Sequence, residues 1–272
     1  MVEGKVSSGR IEMNLEKTRP LLDIREATKT FGGFNALNKL DVKIQKGTIH
    51  AIIGPNGSGK TTLINLVSGL LKPTSGDFLF KDIKLNGLRP DRRTAMGISR
   101  TFQNIRIFNQ MSTLENIMIA RHCRTRSGLL DLIFRPPFKP LREEVEIRKK
   151  AEELLQFIGI FHRKDLKASS LPLGEQRLIE MAQALATEPE LLLLDEPVTG
   201  MTPKEKDSVK SLIQKISKMG ITVLFIEHDM RVVMDISDWI TVINFGQKIA
   251  EGKPDQIQRD PVVIDAYLGK ER

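Results

Sequence analysis

An α/β fold interrupted by a block of helices is the class this 272-residue sequence predicts. Three observations carry it. Short apolar runs alternate with charged, helix-patterned segments along most of the chain. Some of those runs, "LLLL" at 191–194 above all, are apolar at every position, as expected of fully buried strands. Between about residues 104 and 170 the strand signal disappears and helical patterning takes over.

Residues 1–19 contain no apolar core, so they read as a flexible extension and not as a secretory signal. "LLDIREATKTF" (21–31) and "LDVKIQ" (40–45) read as strands. "TIHAIIG" (48–54) is a buried strand ending in glycine, and a helix should follow from Lys60 to Ser68. In the helical block, "LREEVEIRKKAEELLQFI" (141–158) sets Val145, Leu154, Leu155 and Ile158 at near-helical spacing among charges. The proline-broken "GLLDLIFRPPFKP" (128–140) reads as a loop packed on its own core, ahead of an apolar face for a partner. A helix should follow "LPLGEQR" (171–177). "LLLLD" (191–195), "ITVLFIEH" (221–228) and "WITVINFG" (239–246) complete the buried strands. The chain is long enough for one large domain, or one domain with a subdomain.

Composition narrows the function classes. No window approaches the ~20 apolar residues of a membrane-spanning helix. Cys123 is the single cysteine, which rules out an intrachain disulfide and fits a reducing compartment. Lysine and arginine number 42 against 34 acidic residues, a net charge of +8 that suits a nucleotide, nucleic acid or lipid headgroup. The basic clusters at Arg89, Arg92, Arg93 and at Arg121, Arg124, Arg126 read mostly as solvated surface. Basic and aromatic residues are not interleaved as base-stacking surfaces require, so no nucleic-acid partner is expected.

Two motifs carry chemistry. "GPNGSGKTT" (Gly54, Pro55, Asn56, Gly57, Ser58, Gly59, Lys60, Thr61, Thr62) matches G-x-x-x-x-G-K-[ST] between a strand and a helix. Its glycines let consecutive N–H groups point at phosphate oxygens, and the helix N-terminus adds a positive dipole end. Lys60 is placed for the β- and γ-phosphates and Thr61 for Mg²⁺. "LLLLDEP" (191–197) delivers Asp195, a Mg²⁺ ligand directly or through water, to a strand's carboxyl end, with Glu196 next to polarise an attacking water.

In order and spacing these motifs, with "RTFQN" (100–104), "LPLGEQR" and "FIEHD" (225–229), resemble an ABC-type ATPase over nearly the whole chain, from about residue 20 to 272. The resemblance implies a P-loop α/β domain with an antiparallel β part and a helical subdomain inserted at about 104–175. It implies ATP and Mg²⁺. Gln103 then corresponds to the glutamine that senses the metal and the attacking water, His228 to the histidine at the γ-phosphate, and Phe31 to the aromatic that stacks on adenine. Standing alone, each would read as surface or core. Leu171, Pro172, Leu173, Gly174, Glu175 and Gln176 resemble the signature that contacts ATP held by a facing subunit. The chain departs from the family at Pro172, usually serine, and at Thr202, usually aspartate.

"FGGFNAL" (31–37), "RTFQNIRIF" (100–108), the 121–142 insertion, "GMTPKE" (200–205) and "DPVVIDAYLG" (260–269) resemble the ATPase subunits of branched-chain amino acid importers; relatives handling urea, amides or other small solutes share these features. That implies a second ATPase subunit, identical or different, transmembrane permease subunits, a solute-binding protein at one remove, and a peripheral place on the cytoplasmic face of the membrane. The alternative is a soluble ABC ATPase of an assembly pathway such as iron–sulfur cluster biogenesis, against which the insertion and the C-terminal segment argue. ABC ATPases of DNA repair carry long coiled coils or zinc modules, and this sequence has neither.

Overall fold

In the computed structural model, residues 19–121 and 142–268 are described. Most of the N-terminal extension, Cys123, Arg124, Arg126 and the segment 128–140 lie outside them.

Two sheets organise these residues. β1 (Leu22–Phe31) and β2 (Phe34–Ile44) form an antiparallel hairpin, and β4 (Ser75–Phe80) with β5 (Ile83–Lys84) extends it in the order β2-β1-β4-β5. The second sheet runs β10-β9-β3-β8-β7-β6, from β3 (Ile49–Ile53), β6 (Ile98–Arg100), β7 (Leu191–Asp195), β8 (Thr222–Ile226), β9 (Trp239–Asn244) and β10 (Gln247–Gly252). It is parallel except where β10 returns along β9.

The unbroken apolar runs have a direct cause. Leu192 and Leu194 of β7 enter the core under the helices, while Leu191 and Leu193 enter the core between the two sheets. In β8, Val223 and Phe225 face the first core and Leu224 and Ile226 the second. Both faces are buried, so the usual polar alternation is lost. Fully burying each such side chain contributes about 1.5–3 kcal/mol.

Helix α1 spans Lys60–Ser68 and α2 spans Pro90–Ala95. In the helical block, α3 (Thr113–Arg121), α4 (Arg142–Phe157) and α5 (Leu173–Ala186) pack on one another. α6 (Pro203–Lys218), α7 (Met230–Ile236), α8 (Pro254–Ile257) and α9 (Pro261–Leu268) follow. β2 begins six residues before the expected strand, because in residues 34–39 the buried pair Ala36 and Leu37 is adjacent and breaks the alternation a half-buried strand shows. Arg93 is not solvated surface. It is buried and donates to Leu66 O at 2.5 Å, Val67 O at 2.8 Å and Leu85 O at 2.8 Å, closing the carboxyl end of α1. Among the described residues no helix is long and apolar enough to cross a membrane.

Register brings the site's strands level. Ile226 of β8 pairs with Ile52 of β3 on one side and Asp195 of β7 on the other. The segments that leave these three strands therefore start from one edge of the sheet, where an open α/β fold keeps its ligands.

Candidate active site

Residues 54–59 turn from β3 into α1 as a cradle. Gly54 has φ 152°, and a Cβ there would lie 1.9 Å from Ile243 O. At Gly59, φ 105°, a Cβ would lie 2.4 Å from Ala36 O. Both positions exclude a side chain. Gly59 also caps α1 without any side-chain hydrogen bond, leaving the first-turn N–H groups for another acceptor. Lys60 is buried and donates to Gly54 O at 2.7 Å and Pro55 O at 2.9 Å. Burial pushes its ammonium pKa down, and the charge of Glu196 partly opposes this.

Across from the cradle, Asp195 ends β7. Its Oδ2 accepts from Arg100 Nη2 at 2.8 Å, with the two side chains only 1% and 8% exposed. Oδ1 is buried without a hydrogen-bond partner. Burial raises the Asp195 pKa and Arg100 works against the rise. Arg100 also donates to Asn65 Oδ1 at 2.5 Å and Ser68 Oγ at 3.1 Å, tying the acid to α1.

Glu196 follows in a left-handed backbone conformation, φ 51°, which costs a non-glycine residue roughly 1–2 kcal/mol. Three groups meet its carboxylate. Gln103 Nε2 donates to Oε2 at 3.1 Å, Thr199 Oγ1 donates to the same oxygen at 3.2 Å, and His228 Nε2 lies 2.9 Å from Oε1. The structure thus joins Glu196, Gln103 and His228, three residues drawn from distant parts of the sequence.

Supports absent from the sequence reading hold this group. Glu227 is buried, which raises its carboxyl pKa, and it accepts from Val198 N and His228 N, each at 2.9 Å. It therefore fixes both the loop after Glu196 and the backbone of His228. Arg177 of "LPLGEQR" donates to Phe102 O at 2.6 Å and Gln103 O at 2.9 Å, and pairs with Glu180 at 2.7 Å. Glu180 accepts Phe102 N at 2.9 Å. The first turns of α5 thereby grip the segment that carries Gln103. "FIEHD" and "LPLGEQR" contained these signals, but as ordinary polar residues.

Residues 171–176 open α5, with Pro172 as N-cap and no side-chain cap. Leu173 is exposed and Gly174 is buried. A Cβ on Gly174 would lie 2.6 Å from Glu205 Oε1, so the Glu205 carboxylate packs directly on the head of α5. Glu205 also accepts from Thr202 N at 2.9 Å and Thr202 Oγ1 at 2.7 Å, closing a capping box on α6. Thr202 thus caps a helix where the family usually has aspartate. Phe31 sits half-exposed at the end of β1, with Lys29 Nζ 4.9 Å from its ring centroid.

The donor set fits a magnesium nucleotide. The cradle supplies uncapped N–H groups and a lysine, and Asp195 Oδ1 is an orphaned buried acceptor of the kind a metal or metal-bound water satisfies. Among the described residues no group of three or more His, Cys, Asp or Glu is placed to hold a metal alone.

A parallel sheet whose carboxyl edge carries a glycine cradle, a buried aspartate and an adjoining glutamate defines a P-loop nucleoside triphosphatase. The chain belongs to the ABC transporter family, whose model matches residues 37–199, and it is an ATP-binding ATPase. A second model, the branched-chain amino acid ATP-binding cassette transporter, matches residues 247–272. The chain is 40% identical over 255 residues to the high-affinity branched-chain amino acid transport ATP-binding protein LivG of Escherichia coli K12, covering 93% of this chain and 99% of that one. It is equally 40% identical to BraF of Pseudomonas aeruginosa, with the same coverage. Among solved structures it resembles the ADP conformation of MJ1267, an ATP-binding cassette of an ABC transporter, at TM-score 0.81 and 34% identity, covering 93% of this chain and all of that one. A dimeric cassette, MJ0796 bound to ADP and Pi, matches at TM-score 0.70 and 28% identity, covering 86% and 98%.

Proposed function

We propose that this chain is the ATP-hydrolysing subunit of an importer for branched-chain amino acids or a closely related small solute. It works at the cytoplasmic face of the membrane, paired with a second ATPase subunit and docked on permease subunits that receive solute from a binding protein. The observation that carries the reading is the meeting of Gln103, Thr199 and His228 on Glu196, opposite the Lys60 cradle. The match of residues 247–272 to the branched-chain group supports the solute class and favours an importer over an assembly ATPase.

In this mechanism residues 54–62 wrap the phosphates through backbone N–H groups, and Lys60 exchanges its two carbonyl partners for phosphate oxygens. Phe31 offers a face to adenine. Thr61, Asp195 and Gln103 would hold Mg²⁺, which when bound would supply positive charge to the phosphate oxygens. Glu196 orients and deprotonates water, and His228 and Gln103 hold its carboxylate in place. Residues 171–176 of the facing subunit complete the cage with the N-terminus of α5. ATP closes the pair, and hydrolysis reopens it.

The test is purification of the complex from its native membrane, identification of the co-purifying chains, and ATP hydrolysis in vesicles with and without leucine. Hydrophobic permease partners and solute-stimulated turnover are expected. A complex without membrane chains overturns the importer reading.

A further inference from the structure

Two segments bring side chains to the Glu196 carboxylate. Thr199 comes from the loop that leads from Glu196 into α6, and His228 from the turn between β8 and α7. Two bonds cross between these segments. The inner one belongs to the buried Glu227, which accepts from Val198 N at 2.9 Å. The outer one belongs to Lys206, in the first turn of α6. Its Nζ donates to Asp229 Oδ2 at 2.6 Å, with the two side chains 30% and 26% exposed. Asp229 spends its other oxygen on α7. Oδ1 accepts from Arg231 N at 3.1 Å and Val232 N at 3.4 Å and caps that helix. One carboxylate, a single residue past His228, therefore holds the start of α7 and a lysine of α6 together. The lysine hydrogen bond keeps this carboxyl below the usual aspartate range. A second pair, Lys210 with Asp235 at 2.7 Å, ties the same two helices further along, toward the carboxyl end of α7.

We propose that Lys206 is a positioning residue for hydrolysis. Through Asp229 it fixes the turn that carries His228 against the loop that carries Thr199, and so sets the imidazole on Glu196. The inference rests on the reading of Glu196 and His228 as hydrolytic partners. An ion pair this exposed adds little to global stability. A loss of rate without a loss of Tm therefore separates positioning from folding.

Steady-state ATP hydrolysis by the full-length chain is compared for Lys206→Met, Lys206→Arg, Asp229→Ser, Lys210→Met and His228→Ala. Serine is a good helix cap but too short to reach Lys206, so Asp229→Ser keeps the cap on α7 and removes the tie to α6. Lys206→Met should lower kcat about three- to tenfold, a part of the roughly hundredfold that a 1 Å misplacement can cost, with KM for ATP held within about twofold. Its Tm should stay within about 3 °C of wild type. Lys206→Arg should restore most of the rate. Asp229→Ser should match Lys206→Met, and combining the two should cost no more than the worse one alone. Lys210→Met, which cuts the other pair, should leave kcat unchanged. Unchanged kcat in Lys206→Met, equal losses in Lys206→Met and Lys210→Met, or a double variant whose losses multiply overturns the proposal. His228→Ala separates it from the reading beneath it. Normal turnover there overturns both, whereas an impaired His228→Ala beside a normal Lys206→Met overturns the role of Lys206 alone. If Lys206→Met does not fold, Asp229→Ser against Lys210→Met decides.

Discussion

Replacing Arg100 by methionine should destabilise the fold by about 3–5 kcal/mol, the usual result of removing one partner of a buried ion pair. The guanidinium lies 2.8 Å from Asp195, and the two side chains are 8% and 1% exposed. Methionine keeps much of the volume and loses the charge. The other partners of Arg100, Asn65, Ser68 and the Thr101 carbonyl, are neutral and cannot replace it for Asp195. At roughly 2–4 °C per kcal/mol for a chain of this size, the loss in Tm is on the order of 10 °C. The pH dependence gives a sharper signature. Burial already raises the Asp195 pKa, and losing Arg100 raises it further. A carboxyl group whose folded pKa exceeds its unfolded value binds more protons in the native state, so stability falls as pH rises between the two. The defect relative to wild type should therefore be full at pH 8 and shrink toward pH 5. Paired urea denaturation of both proteins at each pH measures it. An unchanged midpoint, or a defect that grows on acidification, refutes the reasoning.

Lys60→Ala should abolish ATP hydrolysis and weaken ATP binding, measured by phosphate release and equilibrium dialysis; near-normal turnover contradicts its place in the cradle. Glu196→Gln should keep Mg-ATP binding and lose about 10²–10⁴ in turnover, with an ATP-stabilised dimer visible by gel filtration. Pro172→Ser should stay within about 1 kcal/mol of wild type, because a serine cap on α5 offsets the chain stiffness lost with proline. A large fall in its ATPase rate would show that the proline shapes the signature. Mixing Lys60→Ala with Gly174→Asp should restore part of the activity if the chain pairs with itself, since one composite site then has both halves intact. Full activity of Gly174→Asp alone would make residues 171–176 a simple turn.

Local chemistry decided what was legible in the sequence. The cradle, α1 from Lys60 to Ser68 and the strand 191–195 were readable because each is set by its own residues: glycines where no side chain fits, and leucines with both faces covered. β4, "SGDFLF", was not, because its exposed and half-buried positions blur the pattern and its pairing with β1 comes from a distant segment. The supports of the site were hidden for the same reason. Arg100 acquires its meaning from Asp195, 95 residues away, and Arg177 from the backbone of Phe102 and Gln103, 75 and 74 residues away. Gln103 and His228 were located through the order of family motifs, since neither has a local pattern that separates it from ordinary surface.

The carboxylate of Glu205 is a hitch between two pieces of machinery. It holds Thr202, six residues past Glu196, and packs against Gly174 at the head of α5. Any shift of the 196–202 loop as the bonds around Glu196 change pulls on the stretch this chain presents outward. In a pair where each chain's residues 171–176 face the other's cradle, Glu205 and Arg177 are two separate ties between one reaction centre and the stretch offered to its neighbour. Glu205→Ala would cut the first tie and leave the Arg177 contacts with Phe102 and Gln103 as the second.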